Sequence, residues 1–269
     1  MSQSEHAMIE PIDATFDLTG RKALVTGASR GIGEAIAIGL ARFGADVAVT
    51  ARDVARLAEV SAEIEAQGRR AVPVAMDAAD VAAIRSGVAE AAKVLGGLDL
   101  LVNNAGMEEV CASLDVEESL WDRMHETNLK GAFFTAQAAA RVMREAAADE
   151  RGGTVLNVCS LTSAVGVPTA APYGASKAGL LGLTRSLATE WAPLGIRVNA
   201  IGPGYFRTAL TETCYADAAG QQAMLAKIPA GRFGDRRDLV GASVFLSSDA
   251  ARYVTGQILY VDGGYMASI

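Results

Sequence analysis

The stretch KALVTGASRGIGEAIA, residues 22–37, sets the first expectation for the fold. Its opening apolar run predicts a buried strand over Lys22–Thr26, and an Ala-rich helical pattern follows. Between them stand Gly27, Gly31 and Gly33 in the spacing G-x-x-x-G-x-G. Glycines let the backbone turn sharply and approach a pyrophosphate closely, and the next helix offers free N–H groups at its start. The stretch therefore predicts a nucleotide-binding turn between a strand and a helix.

Strand and helix patterns continue to alternate along the rest of the chain. Six further apolar runs predict buried strands, at Val47–Thr50, Val72–Met76, Leu98–Val102, Thr154–Val158, Arg197–Ala200 and Leu259–Val261. Ala-rich patterns that end near glycine predict helices between them, among them Gly33–Phe43, Val54–Gln67 and Ile84–Leu95. This rhythm is typical of an α/β fold in which helices cover both faces of a parallel sheet.

Composition and length favour one soluble enzyme-sized domain. The chain has 269 residues, of which 51% are hydrophobic, and its net charge is −7 with no basic block, which argues against a nucleic-acid partner. Cys111, Cys159 and Cys214 follow neither a metal-binding nor a disulfide pattern, so no metal is expected and the thiols are interpreted as reduced.

The two ends of the chain are expected to differ. Residues 1–16 lack the pattern of a secretory signal and are interpreted as a flexible N-terminal tail. Residues 17–269 are predicted to form a single dinucleotide-binding catalytic domain. No apolar run reaches the ~20 residues that span a bilayer, so no membrane partner is expected and the predicted location is cytoplasmic.

The end of the second strand bears on the choice of cofactor. An acidic residue at that point would bond the adenosine ribose and disfavour a 2′-phosphate, but the expected position is Ala51, followed by Arg52. Asp53 is interpreted as a cap of the next helix. A guanidinium suits phosphate through its charge and its planar donors, so Arg52 and Arg30 favour NADP(H), with NAD(H) as a second choice. The alternative is that both arginines are merely solvated.

Several motifs in order resemble those of the short-chain dehydrogenase/reductase family. They are TGASRGIG, NNAG, NLKG, Ser160, YGASK with Tyr173 and Lys177, and GPGYFRT. The resemblance covers the chain from Asp17 onward. It implies a Rossmann-like, doubly wound parallel sheet of seven strands, a nicotinamide cofactor and a homotetramer.

Within that family the motifs NNAGM, NVCS, PAGRFGD and YVDGG are most similar to gluconate 5-dehydrogenases and related sugar-acid or polyol dehydrogenases. Glu108 and Glu109 depart from the pattern, because a substrate carboxylate beside them would meet like charge. The alternative is that both carboxylates point to water. Residues assigned to the substrate are Met107, Glu108, Ser160, Thr162, Tyr173 and Tyr205.

The residues Tyr173, Lys177 and Ser160 suit proton transfer to a ketone oxygen. Tyr173 is the predicted acid and base, although a free tyrosine has a pKa of about 10. Lys177 lies one helical turn further on, and its charge is predicted to lower that pKa. The Ser160 hydroxyl is predicted to hold the substrate oxygen. By resemblance, Asn128 organises a water chain from Lys177 to solvent.

The expected cofactor site draws on four loops that follow strands. Its residues, partly by resemblance, are Gly27, Ser29, Arg30, Gly31, Ile32, Gly33, Arg52, Asp77, Ala78, Asn104, Ala105, Gly106, Tyr173, Lys177, Pro203, Gly204, Phe206 and Thr208. Asp77 is placed to bond the adenine amino group. A substrate lid is predicted over about residues 205–230.

Three functions stay open from the sequence. The leading hypothesis is an oxidoreductase that transfers a hydride between NADP(H) and a secondary alcohol or ketone, such as a sugar acid, polyol or cyclic ketone. The first alternative is a 3-oxoacyl-carrier-protein reductase, for which Arg232, Arg236 and Arg237 offer a local basic patch. The second is a cofactor-sensing binding protein without turnover, which the complete set of Asn128, Ser160, Tyr173 and Lys177 opposes.

Overall fold

The computed structural model describes residues 14–145, 152–206 and 218–269. Seven strands form one sheet in the order β3-β2-β1-β4-β5-β6-β7, and every neighbouring pair is parallel. The strands are β1 Lys22–Val25, β2 Asp46–Ala51, β3 Ala71–Ala75, β4 Leu100–Asn103, β5 Gly153–Val158, β6 Ile196–Pro203 and β7 Ile258–Val261. The predicted doubly wound, seven-stranded parallel sheet is confirmed.

Helices connect the strands and cover both faces of the sheet. Within the described ranges they are α1 Gly31–Arg42, α2 Ala58–Ala66, α3 Val81–Leu95, α4 Glu118–His125, α5 Ala132–Glu145, α6 Ala171–Trp191, α7 Ala218–Leu225 and α8 Asp238–Ser247. Helix α1 packs against α8, and α3 packs against α5. The helix predicted over residues 54–67 starts as a 3-10 turn, Val54–Leu57, which the Asp53 carboxylate caps by accepting from Ala55 N–H at 3.0 Å.

Alternation along the central strands divides the core into two layers. In β1, Ala23 and Val25 join the apolar cluster beneath α1 and α8, whereas Leu24 joins the cluster beneath α3 and α5. Successive side chains of a strand point to opposite faces, so strands buried on both faces must be apolar throughout. The sheet is therefore a rigid platform whose carboxyl edge presents the loops after β1, β2, β4 and β5.

The predicted tail, residues 1–16, lies outside the described residues up to residue 13. Its last three residues, Ala14–Phe16, form a 3-10 turn, and the Phe16 ring lies 6.3 Å from the Phe245 ring. Phe16 also packs against the cluster beneath α1 and α8. Phe16, at the end of the predicted tail, therefore packs against the domain. In the part of the chain that the structure describes, no helix combines the length and apolarity needed to cross a membrane.

Candidate active site

A cleft of about 1430 Å³ runs along the carboxyl edge of the sheet. The predicted site residues that line it come from every strand-end loop considered above: Gly27, Ser29, Arg30, Gly31, Ile32, Arg52, Asp77, Ala78, Asn104, Ala105, Gly106, Met107, Glu108, Ser160, Thr162, Tyr173, Lys177, Pro203, Gly204, Tyr205 and Phe206. Gly33 and Asn128 are buried behind the lining. Thr208 lies outside the described residues. One cleft therefore brings together the predicted nucleotide and proton-transfer residues.

The glycine turn is held by the loop after β4. The Asn104 side-chain amide donates to the carbonyl oxygens of Thr26 and Gly27, at 2.9 and 3.0 Å. Gly27 has φ +62, and a Cβ there would come within 2.9 Å of Ala105 Cα. A Cβ on Gly33 would collide with the Asn104 amide and the Gly27 carbonyl. These glycines are required by close backbone packing between the two loops.

The open side of the same turn fits a phosphate. Gly31 has φ +71, and a Cβ there would meet nothing within 4 Å, so its backbone faces open space in the cleft. It stands at the start of α1, where the first N–H groups have no partner within the helix. Glu34 accepts one of them, Gly31 N–H, at 3.1 Å. The remaining donors and the positive end of the helix suit the pyrophosphate of a dinucleotide.

Arg52, just after β2, and Arg30, in the glycine turn after β1, are both exposed and line the cleft. Neither side chain has a hydrogen bond or ion pair with any residue that the structure describes. Asp53 lines the cleft too, but its carboxylate caps the following 3-10 turn. After β3, one oxygen of Asp77 accepts Ala79 N–H at 3.0 Å. Two guanidinium groups are thus available on the side where a 2′-phosphate would lie.

The serine hydroxyl groups after β5 lie at the end of the cleft opposite the glycine turn. Ser160 follows β5 and caps the 3-10 turn Leu161–Ser163, and its Oγ accepts Thr162 N–H at 3.2 Å. Ser163 is a neighbouring hydroxyl that could also hold the substrate oxygen. Its Oγ, however, donates to the Lys177 carbonyl at 3.0 Å, which ties the turn to α6. Ser160 Oγ accepts the Thr162 N–H through a lone pair, so its O–H remains a donor for the Tyr173 side of the cleft.

Helix α6 supplies Tyr173 and Lys177 from its first two turns. Pro172 occupies the start of the helix, where its missing N–H costs nothing. Lys177 Nζ donates to the Val158 carbonyl at 2.7 Å and lies 5.7 Å from the centre of the Tyr173 ring. The one-turn spacing predicted from the sequence therefore brings the phenol and the ammonium to the same wall of the cleft.

The net shift in the pKa of Tyr173 runs opposite to the one predicted from the Lys177 charge alone. Burial raises the pKa of the Tyr173 phenol, the Glu108 carboxylate raises it further, and a hydrogen bond from Ser160 opposes the shift. Burial also lowers the pKa of Lys177. The cause is desolvation: burial in the protein penalises the phenolate and the ammonium alike. The sequence spacing showed the pairing but not its burial.

Asn128 lies in a π-helical turn, Glu126–Gly131, and its side chain links the loop after β4 to helix α6 by hydrogen bonds. Its side chain accepts Met107 N–H and donates to the Met107 carbonyl, both at 2.8 Å, and it donates to Ser176 Oγ at 3.1 Å. Ser176 in turn donates to the Tyr173 carbonyl at 2.7 Å. Such π turns often mark functional sites. Asn128 therefore fixes the loop after β4 relative to the first turn of α6.

Sequence reasoning missed part of the substrate end. Val110, Val167 and Pro168, which were not predicted, line it from loops, whereas Met224 and Gln221 reach it from α7 and fall within the predicted lid. The three loop positions carry no motif, since loop lengths and directions decide which side chains face the cleft. Residues 207–217 of the predicted lid lie outside the described residues. Among the described residues, no group of three His, Cys, Asp or Glu side chains is placed to hold a metal ion.

The predicted basic patch is not a free positive surface. Arg232 pairs with Asp238 at 2.7 Å, Arg236 with Glu34 at 2.7 Å, and Arg237 with Asp235 at 2.8 Å. Each guanidinium thus has a carboxylate partner in the same region, so the local charge is largely balanced. The sequence showed the three arginines but not that the intervening and distant acids would neutralise them.

A family model described as enoyl-(acyl carrier protein) reductase matches residues 27–266. Gluconate 5-dehydrogenase of Gluconobacter oxydans is 41% identical over 255 residues, covering 94% of this chain and 98% of that protein. The chain belongs to the short-chain dehydrogenase/reductase family. An L-rhamnose 1-dehydrogenase (NAD(P)(+)) of Azotobacter vinelandii is 42% identical over 94% of this chain and 99% of its own length. A 3-oxoacyl-[acyl-carrier-protein] reductase of Staphylococcus aureus is 41% identical over 91% and 97%.

Solved structures agree with this assignment. A provisionally assigned short-chain alcohol dehydrogenase of Sinorhizobium meliloti is 62% identical, with a TM-score of 0.92, and covers 95% of this chain and 100% of its own. A gluconate 5-dehydrogenase of Burkholderia cenocepacia, in complex with NADP and tartrate, is 37% identical, with a TM-score of 0.91, over 96% and 99%. The matches confirm the predicted family and its enzyme class, an oxidoreductase acting on CH–OH groups.

Proposed function

We propose that this family member is an NADP(H)-dependent oxidoreductase that interconverts a secondary alcohol and its ketone. The substrate classes are those expected from the sequence: a sugar acid, a polyol or a cyclic ketone. The observation that carries the proposal is the single cleft in which Ser160, Tyr173 and Lys177 stand at one end and the open glycine turn at the other. A phosphate-binding turn and a proton donor in one cleft are what nicotinamide-linked reduction of a carbonyl requires.

In the reduction direction, Tyr173 gives its phenolic proton to the ketone oxygen as negative charge develops there. Ser160 donates a hydrogen bond to the same oxygen and holds it near Tyr173. The Lys177 ammonium adds positive charge to this wall of the cleft. Bound NADPH supplies the hydride to the carbonyl carbon. In oxidation, Tyr173 takes the proton back from the alcohol.

The cofactor preference rests on charge at the end of β2. Ala51 leaves no carboxylate to repel a 2′-phosphate, and Arg52 and Arg30 are exposed in the cleft with no partner among the described residues. A guanidinium offers that phosphate hydrogen bonds that NAD(H) does not need. NADP(H) is therefore the preferred cofactor and NAD(H) the second choice.

The carrier-protein alternative loses its main support. A reductase of carrier-bound substrates needs a positive surface for an acidic carrier, whereas Arg232, Arg236 and Arg237 are each paired with a carboxylate. The net charge of −7 also opposes docking of an acidic protein. A small alcohol or ketone is the better match to this surface.

We also propose one catalytic domain over residues 17–269, with a substrate lid over about 205–230, in a cytoplasmic homotetramer. The lid is supported by Gln221 and Met224, which line the cleft from α7. Tetramer formation is supported by large apolar side chains that stand exposed, among them Trp121 of α4 at 43% and Ile269 at 66%. Light scattering at micromolar concentration tests the tetramer: a monomeric mass would refute it.

The enzyme activity itself is tested by a cofactor-coupled absorbance screen of alcohols and ketones, with both cofactors. We expect consumption of NADPH with polyhydroxy or cyclic ketones, and slower consumption of NADH. An acetoacetyl thioester in the same screen tests the carrier-protein alternative, since a 3-oxoacyl-carrier-protein reductase would prefer the thioester to the other ketones. Binding of NADPH without turnover of any carbonyl would favour the cofactor-sensing alternative instead.

A further inference from the structure

Glu108 and Glu109 are sequence neighbours with different surroundings. Glu109 is exposed, and its carboxylate pairs with Arg123 at 3.4 Å. Glu108 is half-buried, lines the cleft, and has no hydrogen bond or ion pair with any residue in the described ranges. Arg123 therefore pairs with Glu109, and the Glu108 carboxylate remains available as a hydrogen-bond acceptor for a ligand in the cleft.

The position of Glu108 is fixed on both sides. Just before it, both backbone groups of Met107 are bonded to the Asn128 side chain. Just after it, Cys111 N–H donates to the Thr169 carbonyl at 2.9 Å, which ties this loop to the one that follows Ser160. A side chain on such a clamped loop is preorganised, so its contact with a ligand needs little reordering.

The charge of the Glu108 carboxylate affects the titration of Tyr173 and is itself affected by Lys177. It interacts with Lys177, and its charge adds to the burial that raises the pKa of Tyr173. Glu108 lines the same cleft as Ser160, Tyr173 and Lys177, so a substrate bound there comes within its reach. Lys177 donates to the Val158 carbonyl, and it has no ion pair with this carboxylate in the part of the chain that the structure describes.

A second unpartnered polar group lines the same end. Thr162 Oγ1 is buried and has no hydrogen-bond partner among the described residues. A buried hydroxyl without a partner is unfavourable unless a ligand or water satisfies it, and the half-buried Glu108 carboxylate keeps its acceptor capacity for a ligand in the cleft. Hydroxyl groups of a substrate would satisfy both, since they donate to a carboxylate and either donate to or accept from a threonine.

Building on the proposed function, we propose that Glu108 makes the enzyme selective for neutral polyhydroxy substrates, such as sugars and polyols, over sugar acids. Its carboxylate accepts a hydrogen bond from a substrate hydroxyl near the reacting carbon. A substrate carboxylate at that place meets like charge and is rejected. Glu109 takes no part, because it is exposed, does not line the cleft and is paired with Arg123.

The test compares kcat/KM for a neutral ketose and for the corresponding keto-sugar acid, at saturating NADPH. We expect the wild type to prefer the neutral substrate at least about tenfold, as one unfavourable charge contact of about 1.4 kcal/mol implies. Glu108→Gln should shift that ratio toward the acid about tenfold or more. Glu108→Asp, which keeps the charge, should retain rejection of the acid, and the matched control Glu109→Gln should leave the ratio unchanged.

The outcomes separate the two claims. A wild type that prefers the acid, or equal shifts in Glu108→Gln and Glu109→Gln, would overturn the role of Glu108 and leave the oxidoreductase assignment intact. A wild type that turns over no ketone with NADPH would overturn both. Circular dichroism of each variant confirms that a changed ratio comes from a folded protein.

Discussion

The two ends of the cleft are built differently. At the β1 end, the backbone end, glycines and backbone atoms form the predicted cofactor site. At the α6 end, the side-chain end, individual side chains form the predicted reaction site. Gly27 and Gly33 are packed directly against the loop after β4, and the turn leaves Gly31 open toward the cleft. At the other end, Ser160, Tyr173 and Glu108 each bring one chemical group. A backbone-built site tolerates few changes but is general for dinucleotides. A site built from side chains can change its substrate through one residue.

The most damaging single change should be Tyr173→Phe at the side-chain end. It removes the oxygen that carries the proton and leaves the ring, so kcat should fall about 10²–10⁴-fold while NADPH binding is unchanged. Steady-state rates and a fluorescence titration with NADPH measure the two effects. Tyr253→Phe, at a fully exposed tyrosine, is the control. Retention of more than about a tenth of kcat, a loss of only ~1.4 kcal/mol, would exclude Tyr173 as the acid and base.

The backbone end is best broken at Gly33. A valine there collides with the Asn104 amide and the Gly27 carbonyl, and overpacking of this kind costs about 1–3 kcal/mol. We expect NADPH to bind Gly33→Val roughly 10–100-fold more weakly, with the whole turn displaced. Gly241→Ala is the matched control, since a Cβ there meets nothing within 4 Å. Equal NADPH affinity in both variants would show that the turn does not bind the cofactor.

Arg52 is the exception at the backbone end, because a side chain there sets which dinucleotide is preferred. Hydrogen bonds to charged groups contribute roughly 1.5–3 kcal/mol. Arg52→Ala should therefore reduce the ratio of kcat/KM for NADPH over NADH about ten- to a hundredfold. Arg42→Ala, an exposed arginine at the end of α1, serves as the control. A wild type that favours NADH, or an unchanged ratio in Arg52→Ala, contradicts the assignment.

The pH dependence of kcat tests the role of Tyr173 at the side-chain end. Oxidation needs the phenolate of Tyr173, and burial raises the pKa of that phenol. Below that pKa the phenolate fraction rises about tenfold per pH unit, so kcat for oxidation should climb with pH through the neutral range. Reduction uses the phenol and should vary less. Because Glu108 also raises the pKa of Tyr173, Glu108→Gln should move the oxidation profile to lower pH, and a profile unmoved in that variant would count against the contact.

Patterns in the chain predicted the fold and the backbone end well. The glycine spacing and the apolar runs follow from rules that act over a few residues, so the order of strand, turn and helix was predictable. The helix cap at Asp53 was predictable for the same reason. The Thr26 hydroxyl, which accepts the N–H groups of Asn104 and Ala105, was not, because it joins residues that are 78 and 79 positions apart.

The side-chain end was predicted only in part. One-turn spacing identified Tyr173 and Lys177, but burial, which decides their pKa values, comes from loops distant in sequence. The different surroundings of Glu108 and Glu109 depend on Arg123, fourteen residues further on. The three arginines of the expected basic patch are neutralised partly by Glu34, which is 202 residues from Arg236. Long-range pairing of this kind leaves no local pattern in the sequence.

The most direct test of the account follows the transferred hydrogen. The purified enzyme is incubated with NADPH that carries deuterium at the reactive nicotinamide carbon and with a neutral ketose, and the product is analysed by mass spectrometry. We expect one deuterium on the carbinol carbon of the alcohol with the wild type, and at most about a hundredth as much labelled product with Tyr173→Phe over the same time. If NADPH binds and no label reaches any ketone of the panel, the protein is a cofactor-binding protein without this chemistry, and the account is contradicted.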